Sequence, residues 1–156
     1  MSTDAVAEKI DALGLTLPAP IQLPAGVVAK FPFVRIIGNR ALVSGHGPLN
    51  ADGSLATPLF GTVGQDIDIE QAKAAAQLTT LAILSSLRDA LGSLDRITAF
   101  GRVMGMVNSA PEFTQQTPII DAFSELVNQV FDPEVAAHSR AAVGMASLPL
   151  GMSVEI

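Results

Sequence analysis

The longest regular pattern of small and apolar positions in the chain runs from residue 69 to residue 91. Such residues recur there every three to four positions, which predicts an amphipathic helix of more than twenty residues. Asp68 can cap the first turn, with Gln71 three positions later as in a capping box. Gly92 follows the last periodic residue and can end the helix in a left-handed conformation.

Two other stretches predict shorter helices. Residues 4–13 have an apolar face and precede Gly14, a helix stop. Residues 117–131 begin with Thr117 as an N-cap before a proline at the first helical position, and they stop before another proline. The apolar face of the first of these helices comprises Val6, Ile10 and Leu13.

Alternating and β-branched stretches predict the strands. Gly38-Asn39 separates two of them and is a hairpin turn signal. The main elements then follow the order β-β-α-β-α-β-β, which predicts an α+β fold with two helices on one face of a mixed sheet. The other face needs cover that this chain does not supply. The predicted strand segments are 27–29, 33–37, 41–44, 96–108, 139–147 and 152–156.

The length of 156 residues predicts one domain. Residues 1–26 form an N-terminal extension of one short helix and a proline-rich connector, and residues 27–156 form the core. Apolar residues make up 49% of the chain and charged residues only 15%, against about 25% charged residues in an average globular protein. So few charges favour burial of part of the surface in an oligomer.

The charge distribution excludes several classes of partner. The formal net charge is −6, and the nine Lys and Arg residues are scattered, which argues against a nucleic-acid or membrane-surface protein.

No apolar run is long enough to span a membrane. The absence of cysteine fits a cytoplasmic protein. His46 and His138 are the only histidines and match no metal-binding spacing, so no metal site is predicted.

The last two predicted strands carry the candidate chemistry. If the turn at 148–151 pairs them as a hairpin, strand alternation puts Arg140, Ala142 and Glu155 on one face, away from the helices. An arginine in a partly dry cleft can bind a carboxylate with two hydrogen bonds. An exposed strand arginine or an interface salt bridge would show the same pattern.

Several short motifs together resemble the RidA/YjgF family of reactive-intermediate deaminases, over about residues 33–156. They occur in the family's order, with the same interval between the arginine of the first strand and the glutamate of the last. The motifs are Gly38-Asn39 before Leu42-Val43-Ser44-Gly45, the helix from Ile69, Val107-Asn108-Ser109 with Glu112-Phe113, Ser139-Arg140-Ala141-Ala142-Val143, and Leu148-Pro149 with Val154-Glu155-Ile156.

The resemblance implies a chorismate-mutase-like fold and a homotrimer with clefts between subunits. It also implies hydrolysis of imines and enamines such as 2-iminopropionate to 2-keto acids and ammonia, without a metal or an organic cofactor. By the same resemblance Arg140 holds the substrate carboxylate, Glu155 positions the attacking water, and Ser44 and Gly45 line the cleft. A strand end and tight turn at Ser44-Gly45, and a solvent-facing acid at Glu155, are the simpler alternatives.

The chain departs from the family pattern at several cleft positions, which identifies a divergent branch. Phe33 replaces a tyrosine, Thr117 an asparagine, Ala142 a cysteine, and His46 a glutamine. We keep Phe33, Thr117 and Ala142 as substrate-binding candidates. Non-catalytic binding of small carboxylates in the same clefts is therefore the alternative function. A ribonuclease is disfavoured by the acidic charge, by the absence of Tyr and Trp, and by the expectation of no histidine near Arg140.

Overall fold

The computed structural model describes residues 4–156, so residues 1–3 of the predicted N-terminal extension lie outside it. Its helices and strands follow the predicted order, with an additional short helix after the second long one. The α-helices are α1 (Ala5–Ala12), α2 (Ile69–Leu91), α3 (Gln116–Val130) and α4 (Pro133–Ala136), and the strands are β1 (Val34–Ile37), β2 (Arg40–Val43), β3 (Arg102–Asn108), β4 (Ser139–Met145) and β5 (Val154–Glu155).

The strands form two small sheets joined through the backbone. β1 and β2 make the predicted antiparallel hairpin around Gly38-Asn39. β3 lies at the centre of the second sheet, parallel to β4 and antiparallel to β5. The backbones of His46 and Ile156 exchange two hydrogen bonds of 2.9 and 3.0 Å, which connect the chain after the hairpin to the end of β5. The predicted mixed sheet is therefore confirmed.

Helix α2 has the predicted limits because its ends satisfy their own backbone groups. The Asp68 carboxylate accepts from the Gln71 backbone N–H at 2.8 Å, and the Gln71 side chain accepts from the Asp68 N–H at 3.0 Å. Gly92 ends the helix at φ 84°, a conformation that glycine adopts without steric cost. The capping box and the glycine stop are confirmed.

The core lies between the two long helices and one face of the sheet. Helix α3 contributes Ile119, Ile120 and Phe123, and β3 contributes Val103 and Val107. Gly105 lies between these two valines on β3 and lets α3 approach closely. A methyl group there would lie 2.5 Å from Ile120, which is fully buried.

The N-terminal helix packs on the same layer. Val6 and Ile10 of α1 are buried, whereas Leu13, predicted on the same face, is exposed because the helix ends before it. The Asp95 carboxylate accepts hydrogen bonds from the backbone N–H groups of Ala5 and Val6. Helix α1 is thus held to the rest of the chain by both apolar and polar contacts.

Several predicted elements differ from the structure in their limits, and one is absent. Residues 27–29 follow a turn and pair with no strand of the described chain, and Val28 is exposed. β3 begins at residue 102 rather than 96, because its partner β4 begins opposite that position. Helix α3 begins one residue before Thr117, so Thr117 is a helical residue and not the N-cap.

The predicted pairing of the last two strands is also wrong. β5 pairs with β3, through Met106 with Glu155 and Val107 with Val154, and β3 separates it from β4. The connection from β4 contains no tight hairpin turn. It crosses the end of β3, where the Asn108 N–H donates to Ser153 O at 2.9 Å.

The face of the second sheet that points away from the helices is open, as the sequence indicates. Apolar side chains of β3 and β4 lie on it, and Met104 is 46% exposed. Leu42 of β2, opposite to the core-facing Ala41, is 51% exposed. We call Leu42, Met104, Met106, Ala141, Val143 and Met145 the open apolar face. Within residues 4–156 no helix is both long enough and apolar enough to cross a membrane.

Candidate functional site

Glu155 is the one acidic side chain of β5 and lies on the open side of the sheet. Its cross-strand partner is Met106, whose side chain belongs to the open apolar face. Burial raises the pKa of Glu155, and no cation or hydrogen-bond donor of the described residues offsets that effect. A carboxylate in this environment takes up a proton more readily than an exposed one, which suits it to exchange a proton with a water molecule.

Gly45 lies directly against this carboxylate. A methyl group at position 45 would overlap the Oε1 atom of Glu155, so a side chain there would displace the carboxylate from this position. The preceding residue fixes the local backbone, because the Ser44 Oγ donates to Pro32 O at 2.9 Å and the Ser44 N–H donates to Phe33 O. The structure thus brings Gly45 and Glu155 together, and Ser44 beside them.

Arg140 lies on β4 and points to the helix side of the sheet. Its Nη2 donates to Asp121 Oδ1 at 2.7 Å and its Nη1 donates to Ser124 Oγ at 2.9 Å, both on α3. The arginine side chain is only 17% exposed. Ala142 follows on the same face of β4, opposite Gly105.

The predicted common face of Arg140 and Glu155 is wrong. Met106 is the partner of both Val143 and Glu155, and Val143 lies three residues from Arg140. Since strand side chains alternate, an odd offset puts Arg140 on the opposite side of the sheet from Glu155. Within one chain these two side chains do not line the same cavity.

Phe33 and His46 pack against each other, away from Arg140. Their rings meet edge to face with centroids 5.3 Å apart. His46 is buried; its ring nitrogens lie 2.7 Å from Ser44 O and 2.9 Å from Ser86 Oγ. Burial lowers the pKa of His46, so the neutral ring donates from Nδ1 to Ser44 and accepts from Ser86. His46 therefore supports the strand end that carries Gly45.

Thr117 lies in the first turn of α3 and is exposed. Gln116, beside it, has the more structured environment: its Nε2 donates to Phe113 O at 2.8 Å and lies 3.3 Å from Ser109 Oγ. The structure does not bring Thr117 into contact with the residues around Glu155 or Arg140.

Sequence reasoning missed three polar side chains around Arg140. The first is Asp121, which pairs with the arginine. The second is Ser124, which accepts from the arginine, and the third is His138, whose Nε2 lies 2.9 Å from Ser124 Oγ. The His138 Nδ1 lies 2.6 Å from Ala136 O. The expectation of no histidine near Arg140 is therefore wrong. The signal for this cluster in the sequence is the spacing of Asp121 and Ser124, which puts both side chains on one face of the predicted helix.

The described part of the chain holds no group of three His, Asp or Glu side chains that could bind a metal ion. The polar atoms of the two candidate regions instead form pairs and short chains of hydrogen bonds. What they can do chemically is bind an anion through Arg140 and exchange a proton through Glu155.

Comparison with known proteins relates most of the chain to a known family. Residues 8–154 match the family model described as "YjgF/chorismate_mutase-like, putative endoribonuclease". The protein TCP17 of Trypanosoma cruzi is 35% identical over 151 residues, which cover 97% of this chain and 90% of that protein.

Two solved structures have the same fold over most of their length. Atu1372 of Agrobacterium tumefaciens, a protein of unknown function, is 37% identical with a TM-score of 0.84, over 97% of this chain and 88% of that one. A protein of Shewanella oneidensis MR-1, titled a "putative endoribonuclease", is 26% identical with a TM-score of 0.85, over 97% and 95% of the two chains.

Proposed function

This chain belongs to the YjgF/chorismate mutase-like family, and from that premise we propose that it hydrolyses small 2-imino acids to 2-keto acids and ammonia in clefts between copies of the chain. The resemblance to the RidA/YjgF deaminases and the α+β fold support the premise. The observation that carries the proposal is Glu155, a half-buried carboxylate with a raised pKa that lies against Gly45 and has no polar partner among residues 4–156.

The reaction needs one cation, one carboxylate and water. Arg140 binds the substrate carboxylate through its guanidinium N–H groups. Glu155 orients a water molecule and accepts its proton as the oxygen attacks the imine carbon. In the carbinolamine that forms from the protonated imine, Glu155 returns its proton to the nitrogen and the C–N bond breaks. The hydroxyl proton passes through Glu155 to the departing nitrogen, so that the carbonyl of the 2-keto acid and protonated ammonia remain.

The site needs more than one copy of the chain. Arg140 and Glu155 lie on opposite sides of the sheet, so a ligand of a few atoms cannot touch both within one chain. If the open apolar face of one copy packs near β4 of another, the two side chains can line a single cleft. A homotrimer with three equivalent clefts is the assembly that we propose. The absence of cysteine fits a cytoplasmic location for it.

Non-catalytic binding of small carboxylates is the second candidate function. Two observations favour it: Arg140 is already paired with Asp121, and Phe33 carries no hydroxyl group that could help proton transfer. This alternative predicts binding of pyruvate that depends on Arg140, without turnover of any imine.

The first test is an imine-hydrolysis assay. An amino-acid oxidase generates 2-iminopropionate, and its disappearance is followed with wild type, Arg140→Ala and Glu155→Gln. We expect acceleration by wild type and a loss of about a hundredfold or more in both variants, because each removes one of the two required groups. Pyruvate binding without imine turnover would instead support the alternative function.

A mixing experiment tests whether the site is shared between copies. Arg140→Ala and Glu155→Gln chains, each inactive, are co-expressed so that mixed assemblies form. If each cleft takes its arginine from one copy and its glutamate from the next, about one quarter of the clefts in a random mixture contain both groups. Recovery of activity on that scale supports the shared site, and no recovery contradicts it.

The same preparations can be assayed for ribonuclease activity. The Ser124–His138 pair beside Arg140 supplies an imidazole that could act on RNA. The net charge of −6 opposes binding of a polyanion. Cleavage of RNA that is lost in Arg140→Ala, without imine turnover, would contradict the deaminase proposal.

A further inference from the structure

The ion pair between Arg140 and Asp121 leaves hydrogen-bonding atoms of both side chains available to a ligand. The arginine has five N–H donors, of which the described residues accept two, one through Asp121 and one through Ser124. Asp121 uses Oδ1 for this bond, and its side chain is 46% exposed. Both the cation and the anion can therefore make further bonds on one side of the sheet.

We propose that Asp121 determines substrate specificity by binding the protonated imine nitrogen of a 2-imino acid whose carboxylate is bound by Arg140. The inference rests on the proposed function and names a residue that the resemblance does not assign. A protonated 2-imino acid carries a negative carboxylate and a positive iminium group on adjacent carbon atoms. Arg140 and Asp121 present the complementary charges 2.7 Å apart.

The same pair discriminates against the product. A 2-keto acid has the carboxylate but no positive group, so its carbonyl oxygen would face the Asp121 carboxylate without a proton between them. This like-polarity contact weakens product binding, and the attraction for the iminium strengthens substrate binding. Stabilising the protonated imine also favours the form that water attacks most readily.

The neighbouring side chains hold this arrangement in place. Ser124 accepts from Arg140 and donates to His138, whose other ring nitrogen is bonded to Ala136 O. The guanidinium therefore keeps one anchor on α3 when Asp121 turns toward a ligand. The ion pair with Glu70, at 2.9 Å, raises the pKa of Lys73 on α2, and the charge of Asp121 contributes less to the same effect.

The experiment compares two ligands in Asp121→Asn: an imine that the Asp121 charge attracts and a keto acid that it repels. Imine turnover gives kcat/KM for 2-iminopropionate, and calorimetry gives the Kd for pyruvate. We expect kcat/KM to fall about tenfold or more and pyruvate to bind several times more tightly, because the charge that attracts the iminium and repels the keto acid is gone. Asp121→Glu should restore most of the turnover.

Glu125→Gln is the matched control, because it removes an exposed acid one turn further along α3 that makes no ion pair with the arginine. Equal losses of turnover and pyruvate affinity in Asp121→Asn would indicate that Asp121 only fixes Arg140 and would overturn the inference. No change in either quantity would overturn it too. If wild type neither hydrolyses the imine nor binds pyruvate, the proposed function itself fails, and the role of Asp121 with it.

Discussion

His46 shows how one buried residue links the site to the stability of the fold. Its neutral ring connects the strand end at Ser44 to Ser86 of α2. This link sets the backbone position of Gly45 and therefore the space in which the Glu155 carboxylate lies. Its role in the fold is to support the site.

The lowered pKa of His46 predicts a pH dependence of stability. Burial favours the neutral ring in the folded state, while the unfolded chain binds the proton at the ordinary pKa of about 6.5. The stabilisation is therefore present above that pH and is lost as the pH falls through the lower folded-state pKa. Urea unfolding between pH 7.5 and 5 should show a steeper loss in wild type than in His46→Gln. Equal slopes would contradict this assignment.

The close approach of α3 to β3 at Gly105 predicts that a single added methyl group lowers the free energy of unfolding. A methyl group there would lie 2.5 Å from Ile120, which is fully buried in the core. Gly105→Ala should lower the free energy of unfolding by about 1–3 kcal/mol. Gly101→Ala is the matched control, since no atom of residues 4–156 lies within 4 Å of the added methyl group. Denaturant titration of both variants measures the difference, and equal stabilities would refute the close approach of α3.

The elements differ in how much of their structure is local. Helix α2 is defined by sequence neighbours: Asp68, Gln71 and Gly92 satisfy its ends, and its small residues fit against the core. Helix α3 has no side-chain bond at its N-cap and starts where Gln116 reaches Phe113 and Ser109. The strands depend more strongly on partners distant in sequence, as β5 does on β3.

The capping box of α2 gives an element-scale prediction. Asp68→Ala leaves the Gln71 N–H without its acceptor and removes a negative charge from the helix N-terminus. The variant should lose about 0.5–2 kcal/mol of stability, with Asp68→Asn losing less because asparagine is also a good N-cap. Thermal unfolding followed by circular dichroism tests the order of the three proteins. An alanine variant as stable as wild type would contradict a stabilising cap.

At the scale of the whole molecule, the isolated chain exposes more surface than a monomer of its size usually does. Its accessible surface is 8360 Å², against about 7400 Å² for a typical monomer of 16.1 kDa. The open apolar face contributes to the excess, and Glu155 lies beside it, opposite Met106. Covering this face would bury apolar area and complete the proposed clefts together.

A charge on the open apolar face should therefore break the assembly. Met104→Glu puts a carboxylate in the surface that we propose to be buried between copies. Light scattering should give about three times 16.1 kDa for wild type and a smaller mass for the variant. Leu13→Glu, at an exposed apolar position beside α1, is the control and should keep the wild-type mass. A wild-type monomer at micromolar concentration would refute the trimer.

The sequence by itself determined the features that depend on near neighbours. The hairpin at Gly38-Asn39, both ends of α2, the helical face buried against the sheet and the uncovered opposite face all follow from local spacing and composition. The family followed from motifs whose residues and order can be recognised in the sequence itself. These features are legible because capping, turn geometry and burial periodicity act over a few residues.

Only the tertiary structure decided which distant residues meet. It paired β5 with β3 instead of β4, and this one change of neighbour put Arg140 and Glu155 on opposite sides of the sheet. It also brought Asp121 of α3 to Arg140 of β4, nineteen positions later. Strand pairing and cross-element ion pairs depend on the packing of the whole chain, because many partners satisfy the same local pattern and only one arrangement fills the core.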